Sequence, residues 1–277
     1  MSAEHSLSFS PCPNDCFMFD ALVNKRMPGL PPFRVHMADI EALNLAALGA
    51  NGPDITKISA AALPAVLPQY RLLDAGAALG FGTGPLLVSA SLENVTAENI
   101  AYRSVAVPGI HTTAFALFRY AMGNKGKISE VLFSEIEEAV LSGKHDLGVI
   151  IHESRFTYAE KGLHACMDLG AYWEEHTGFP VPLGVIVIKR SIEESVAKSI
   201  CGLLRDSVKF AFSHPDASAS FVAENAQEMD KEVCKRHIDL YVNEFSVSLG
   251  KTGTDAIIRL MQLLGKELHP EKDVVTP

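Results

Sequence analysis

Along most of the chain, short aliphatic and β-branched runs alternate with longer stretches whose apolar residues recur at helical spacing. "SLSFS" (6–10) reads as a strand, and a helix carrying "FMFDALV" begins near Asn14. "FRVHMAD" (33–39) alternates as a strand does, and "IEALNLAALG" (40–49) has helical spacing ended by Gly49. "DITKIS" (54–59) predicts a strand, with a helix in the "AAALPAVL" that follows. "LLVSA" and "SVAVPG" (104–109) predict strands, and "TTAFALFRYAMG" (112–123) a helix closed by glycine. Next come a helix in "SEIEEAVLSGK" (134–144) and strands in "LGVII" and "LGVIVIKR" (183–190). Residues 192 to 265 are mainly helical in pattern, with breaks at "SHPDAS" and "SLGKTG". No internal repeat and no low-complexity segment stands out. Strands alternating with helices indicate an α/β protein with a largely parallel or mixed sheet.

No long flexible linker divides the chain, so a second domain must connect through short crossings. "GFGTGPLLVSA" and "VPLGVIVIKR" suit that role, because each joins a Gly/Pro-rich turn to a strand. They predict a large discontinuous α/β lobe, residues 1–90 and 190–277, with a smaller α/β lobe, 91–189, inserted into it. A cleft between two such lobes is the expected place for a small-molecule site.

Composition narrows the class. At 277 residues and 48% hydrophobic, the chain can bury a proper core. A net charge of -9 without any basic run argues against nucleic-acid binding. Five cysteines, at 12, 16, 166, 201 and 234, are too few and odd in number for a disulfide framework, and suit a reducing cytoplasm. The opening "MSAEHSLSFSPCPND" has no basic stretch leading into an apolar one, so no signal peptide is expected. No run of about 18 apolar residues predicts a membrane span.

Four places share one arrangement of apolar strand, short polar turn and helix start: "SFS-PCPND-CFMF", "ITKI-S-AAALPAV", "VAVPG-IHT-TAFALF" and "GVII-HES-RFTY". A helix start offers unpaired backbone N–H groups and a field that favours negative charge. Asn14 or Asp15, Ser59, and Thr112 or Thr113 are residue types that cap such starts. Each could be no more than a cap, contributing about 1 kcal/mol. Taken together they suit a ligand bearing a carboxylate.

In "DLGVIIHESRF" an aliphatic strand stops abruptly at His152, Glu153, Ser154 and Arg155. Histidine titrates near neutrality and can take up and release a proton within one cycle. Most of the ten histidines must be structural or on the surface; position at a strand end, beside Glu153 and Arg155, sets His152 apart. His111 occupies a similar place, but a helix start disfavours its protonation. "HESRF" is not a zinc-protease motif, since residue 156 is Phe. "CPNDC" has no second cysteine pair to complete a zinc set. "GFGTGP" (80–85) leads into a strand, not a helix, and there is no G-x-S-x-G elbow. Proton chemistry without metal or cofactor is what remains for an enzyme.

"SPCPNDCFMFDALV", "TKIS", "GTGPLLV", "VAVPGIHTTAFAL", "IIHESRFTY", "DLGAYWEEHTGFPVPLG" and "YVNEFS", in that order, closely resemble the 1,4-dihydroxy-6-naphthoate synthase family of the futalosine route to menaquinone. The resemblance implies a periplasmic-binding-protein-like fold of two lobes joined by two crossing strands. It implies a cytoplasmic carbon–carbon lyase without cofactor, acting on cyclic dehypoxanthine futalosine. It makes His152 the proton acceptor and places Lys57, Ile58 and Ser59, with Thr113 and Ala114, against the substrate. Asn14, Asp15 and Arg155 are further candidates for binding a small carboxylate substrate. Family members often have threonine where Cys16 stands, so a polar group is missing there. Two other readings share the fold: a non-catalytic solute-binding protein, and chorismate dehydratase, which resembles the "DLG-W-TGFP" region but lacks "SPCPND" and "HESRFTY".

Overall fold

The computed structural model describes residues 4–92, 94–226 and 230–277. Of the span with the helical pattern, residues 227–229 lie outside the described residues. The chain forms two compact units, Met1–Gly80 with Pro182–Pro277, and Phe81–Val181. In chain order the strands are β1 (His5–Phe9), β2 (Phe33–Met37), β3 (Ile55–Ser59), β4 (Tyr70–Leu73), β5 (Ala78–Gly80) and β6 (Leu86–Ser89). They continue as β7 (Ser104–Val107), β8 (Lys127–Glu130), β9 (Leu147–Ile150), β10 (His164–Asp168), β11 (Val181–Lys189) and β12 (Val274–Val275).

The larger unit holds a sheet in the order β12-β4-β11-β3-β1-β2, with β5 added beside β11. Here β1 runs parallel to β2 and β3, and β11 runs antiparallel to β3 and β4. The smaller unit holds β10-β6-β9-β7-β8, with β7 parallel to β8 and β9, and β6 antiparallel to β9. Because β6 pairs with β9 and β10, it belongs to the smaller sheet. The units divide at 80/81 and 181/182, at the start of the runs "GFGTGPLLVSA" and "VPLGVIVIKR", so the smaller unit takes in β6 and begins about ten residues before the expected bound of 91.

The parallel core of each sheet is tied at its start by the same device. Ser6, just before the β1–β3 register begins, donates from its N–H and hydroxyl to Asp54 Oδ2 at 2.9 and 3.0 Å. Asp54 N–H returns a bond to Ser6 Oγ at 2.7 Å. Ser104 and Asp146 repeat the set at the start of β7 and β9, at 2.7, 2.7 and 3.0 Å. Burial alone would raise the Asp54 carboxyl, but the Ser6 hydrogen bonds and the Lys189 charge outweigh it and hold it below its ordinary value. The Ser104 N–H and hydroxyl likewise lower the Asp146 carboxyl.

In the larger unit the helices Pro13–Val23 and Glu194–Ser213 pack with β1, β3 and β11 around Leu7, Phe9, Met18, Phe19, Leu204 and Val208. The Phe9 and Phe19 rings stack at 4.5 Å. The core of the smaller unit gathers Leu86, Val88, Ala106, Ile136, Val140 and Ile150. A Cβ on Gly148 of β9 would lie 2.6 Å from Ile136, so that strand needs a glycine to let the helix Ile136–Leu141 close on it. The break predicted at "SHPDAS" falls where the helix ends at Ser213 and a 3-10 turn follows. "SLGKTG" is only partly a break: Gly250 turns the chain with φ +56 and opens the helix Gly250–Leu263. Gly253 continues that helix, and a Cβ there would lie 3.2 and 3.3 Å from the side chains of Phe245 and Leu249, which pack closely over it. No helix among the described residues is long and apolar enough to cross a membrane.

Candidate active site

Every residue singled out in the sequence lies at or just beyond the C-terminal end of one of the parallel strands β1, β3, β7 and β9, the end where open α/β sheets hold ligands. The larger unit carries Asn14, Asp15, Lys57, Ile58 and Ser59; the smaller carries Thr113, Ala114, His152 and Arg155.

After β1, Pro13 occupies the first position of its helix, where no N–H is needed, and Cys12 stands at the cap position without making a side-chain capping bond. Asn14 and Asp15, expected as caps, lie inside the first turn instead. Asp15 is fully buried and its charge is met on every side. Ser10 donates its hydroxyl and N–H to Oδ2 at 2.7 and 3.2 Å. Asn14 Nδ2 donates to Oδ1 at 3.1 Å, and the Lys57 ammonium closes an ion pair on the same oxygen. With the Asn14 amide nitrogen committed to Asp15, its Oδ1 faces His237 Nε2 at 3.0 Å as an acceptor. His237 therefore donates from Nε2. Cys16, next along the helix, is fully buried; burial and then the Asp15 charge push its thiol well above the usual range, which makes it an inert packing residue.

Lys57, Ile58 and Ser59 are all buried on β3. A Cβ on Gly184, which pairs with Ser59 across β11, would lie 2.6 Å from Lys57 Cε, so the lysine stem fills the space a side chain there would take. Ser59 precedes the short helical turn Ala60–Ala62 but makes no capping bond with its side chain. Its hydroxyl and N–H are held by Asn44 from the helix Ile40–Leu48.

In the smaller unit, Gly109 turns the chain after β7 with φ +145. Thr112 is the cap of the helix Thr113–Met122: its hydroxyl accepts from Phe115 N–H at 3.2 Å and donates to Gly109 O at 2.7 Å. Thr113 and Ala114 follow as buried residues of the first turn, so the threonine pair is resolved with Thr112 as the cap.

His152 stands two residues beyond β9 in a left-handed backbone conformation, φ +56, shared among non-glycine described residues only with Lys25. Histidine tolerates this conformation better than bulkier types. It turns the strand sharply into the short helix Ser154–Thr157. The imidazole packs edge-on against Phe133 with ring centres 4.8 Å apart. Arg155 does not stand open: its guanidinium donates to Gly84 O at 2.6 Å and to Asp168 Oδ2 at 2.7 Å. Asp168 in turn caps the helix Leu169–Thr177 through Gly170 and Ala171 N–H at 3.0 and 2.9 Å. Gly84 and Gly170 touch backbone to backbone; a Cβ on Gly84 would lie 2.6 Å from Gly170 N. Arg155 thus ties the "HESRF", "GTGP" and "DLG" segments into one support for the turn that carries His152.

Sequence reasoning missed Asn44, His237 and Asp168. Asn44 and His237 meet partners 15 and 223 residues away, a separation that no local pattern encodes. Asp168 before an apolar helix was legible as a cap. "YVNEFS" proves to be scaffolding: Asn243 and Ser246 form a capping box and bond Leu79 O and Ala77 O at 2.9 and 2.7 Å, anchoring β5. Among the described residues no cluster of three or more His, Cys, Asp or Glu is arranged to hold a metal ion.

Residues 5–266 match the profile of a family described as menaquinone biosynthesis. The chain belongs to that family. Two relatives named 1,4-dihydroxy-6-naphtoate synthase are similar over nearly the whole length. The one from Streptomyces coelicolor is 43% identical across 94% of this chain and 93% of its own. The one from Thermus thermophilus is 42% identical across 92% and 91%. Among solved structures, protein AF1704 from Archaeoglobus fulgidus superposes with a TM-score of 0.88 at 30% identity, covering 95% of this chain and 97% of its own. The alkanesulfonate-binding protein SsuA from Xanthomonas axonopodis pv. citri follows with a TM-score of 0.68 at 11% identity, covering 100% and 99%. The family member thus has a periplasmic-binding-protein-like fold.

Proposed function

We propose that the protein is a carbon–carbon lyase that converts cyclic dehypoxanthine futalosine to 1,4-dihydroxy-6-naphthoate in menaquinone biosynthesis, working in the cytoplasm without a cofactor. The observation that carries this is identity of 43% across 94% of the chain with a relative of that name. His152 is the proton acceptor. It removes a proton from the spiro-ring substrate, the electron pair passes into the ring system as the bond to the sugar remnant breaks, and aromatisation drives the step. General base catalysis of this kind contributes about 10²–10⁴-fold.

Lys57, Ile58, Ser59, Thr113 and Ala114 contact the substrate in this reading, with N–H and hydroxyl donors suited to its carboxylate. Asn14, Asp15 and Arg155, candidates for the same task, are assigned a supporting one. Asp15 pairs with Lys57 and Asn14 braces Asp15, and the Arg155 guanidinium is committed to Gly84 and Asp168. The likeness to SsuA concerns the fold and does not favour transport.

Incubation with cyclic dehypoxanthine futalosine should produce the absorbance of a dihydroxynaphthoate. Substrate that binds and is recovered intact would favour a solute-binding protein, and consumption of chorismate in a parallel reaction would favour the dehydratase.

A further inference from the structure

Resting on that reading, we propose that Asn44 and Glu41 are positioning residues that aim the Ser59 hydroxyl as a hydrogen-bond donor toward the substrate. Both lie on the helix Ile40–Leu48, whose start is capped by Asp39 through Glu41 and Ala42 N–H at 2.9 and 3.4 Å. Asn44 is fully buried, on a face whose other buried members include Ile40, Leu43 and Ala47. An aliphatic side chain would fit that face better, and asparagine is a poor helix former. A buried amide beside a buried carboxylate is tolerated only when both are hydrogen-bonded.

The bonds fix the amide in one orientation by two independent constraints. Glu41 Oε2, at 2.8 Å, requires a donor and so faces Nδ2. The Ser59 N–H, at 2.8 Å, requires an acceptor and so faces Oδ1. The second hydrogen of Nδ2 then points at Ser59 Oγ, 3.0 Å away, and occupies a lone pair of that oxygen. The serine proton is turned away from the amide, and among the described residues no side chain or backbone group accepts it. Ser59 is therefore presented as a donor, the polarity a carboxylate ligand requires.

The test is a double-mutant cycle in the full-length enzyme with cyclic dehypoxanthine futalosine. Asn44→Asp keeps an acceptor for the Ser59 N–H but removes the donor to its hydroxyl. It should raise KM about tenfold while kcat stays within about threefold. Ser59→Ala should do the same, and the double variant should be no worse than Ser59→Ala alone, since both act through one hydroxyl. Losses that multiply in the double variant, or an Asn44→Asp enzyme with unaltered KM, would overturn the inference. Should Asn44→Asp not fold, Glu41→Leu and Glu41→Gln decide. Leucine releases the amide and should raise KM, glutamine keeps an acceptor and should recover most of the loss, and equal effects would refute the relay. A wild-type enzyme that yields no dihydroxynaphthoate would overturn the functional reading and this inference together. Wild-type turnover with unaffected variants would overturn the inference alone.

Discussion

The two sheets are built on one plan and finished differently. In the larger unit a strand order of β2-β1-β3 is parallel and is followed by antiparallel β11; in the smaller, β8-β7-β9 is parallel and is followed by antiparallel β6. Each plan begins with a serine–aspartate clip, Ser6 with Asp54 and Ser104 with Asp146. At the opposite strand ends the likeness stops. The larger unit spends its polar residues on a buried ion pair and an amide-held serine, whereas the smaller presents an imidazole on a left-handed turn. The shared part is what a parallel sheet needs; the divergent part carries the residues proposed for binding and proton transfer. In the proposed reading the reacting group, His152, lies in the smaller unit, whereas Lys57 and Ser59 of the larger unit only hold the substrate.

Exchanging His152 for alanine should test that division most severely. His152→Ala is expected to lower kcat by about 10²–10⁴-fold with little change in melting temperature, against the KM effect expected of Ser59→Ala. Steady-state kinetics on both variants would check it, and near wild-type turnover by His152→Ala would remove the distinction.

Lys57→Met should act on stability, because it leaves the Asp15 carboxylate buried with only Ser10 and Asn14 to meet it. Loss of one partner of a buried pair costs about 3–5 kcal/mol, measurable by denaturant titration. The double variant Lys57→Met with Asp15→Asn should recover part of it.

In the smaller unit the corresponding weak point is steric. Gly84→Ala forces a Cβ into the Gly170 backbone, which cannot step aside as a side chain would. A loss of about 1–3 kcal/mol is expected, with reduced turnover as the Arg155 support shifts. Wild-type thermal stability in that variant would mean that the two segments are not in firm contact.

The smallest effect belongs to the shared clips. Asp54→Asn should cost about 1 kcal/mol, discounted for its partial exposure, and Asp146→Asn less. Both folded carboxyls lie below the ordinary value of 3.8. The stabilisation is complete above that value and disappears as pH falls through the lowered one. Variant and wild-type melting temperatures should therefore differ at neutral pH and converge in acid; a constant gap would show that the bonds do not depend on charge.

Periodicity was enough to find the strands that carry the candidate site, because 54–59, 104–109 and "LGVII" are aliphatic runs bounded by turn residues. It passed over β5 and β12, which are three and two residues long, and β4 ("YRLL") and β10 ("HACMD"), whose charged residues interrupt the aliphatic run. The likeness of the two sheets left no repeat in the sequence, since the clips share only a serine and an aspartate, 48 residues apart in one and 42 in the other. For the candidate site, strand ends and residue types drew attention to residues that the structure places at the C-terminal ends of β1, β3, β7 and β9, while their partners became visible only in the fold. Asn14 or Asp15 reads as a cap, but Pro13 takes the first helical position, and Arg155 reads as a candidate for a substrate carboxylate, whereas its guanidinium meets Asp168.

The Arg155 junction has a kinetic corollary. Its three participants are drawn from stretches around 84, 155 and 168, so most of the Phe81–Val181 unit must be ordered before it can close. Such a contact belongs on the native side of the folding barrier. Weakening it should hasten unfolding far more than it delays refolding, leaving a protein that assembles on time and comes apart sooner.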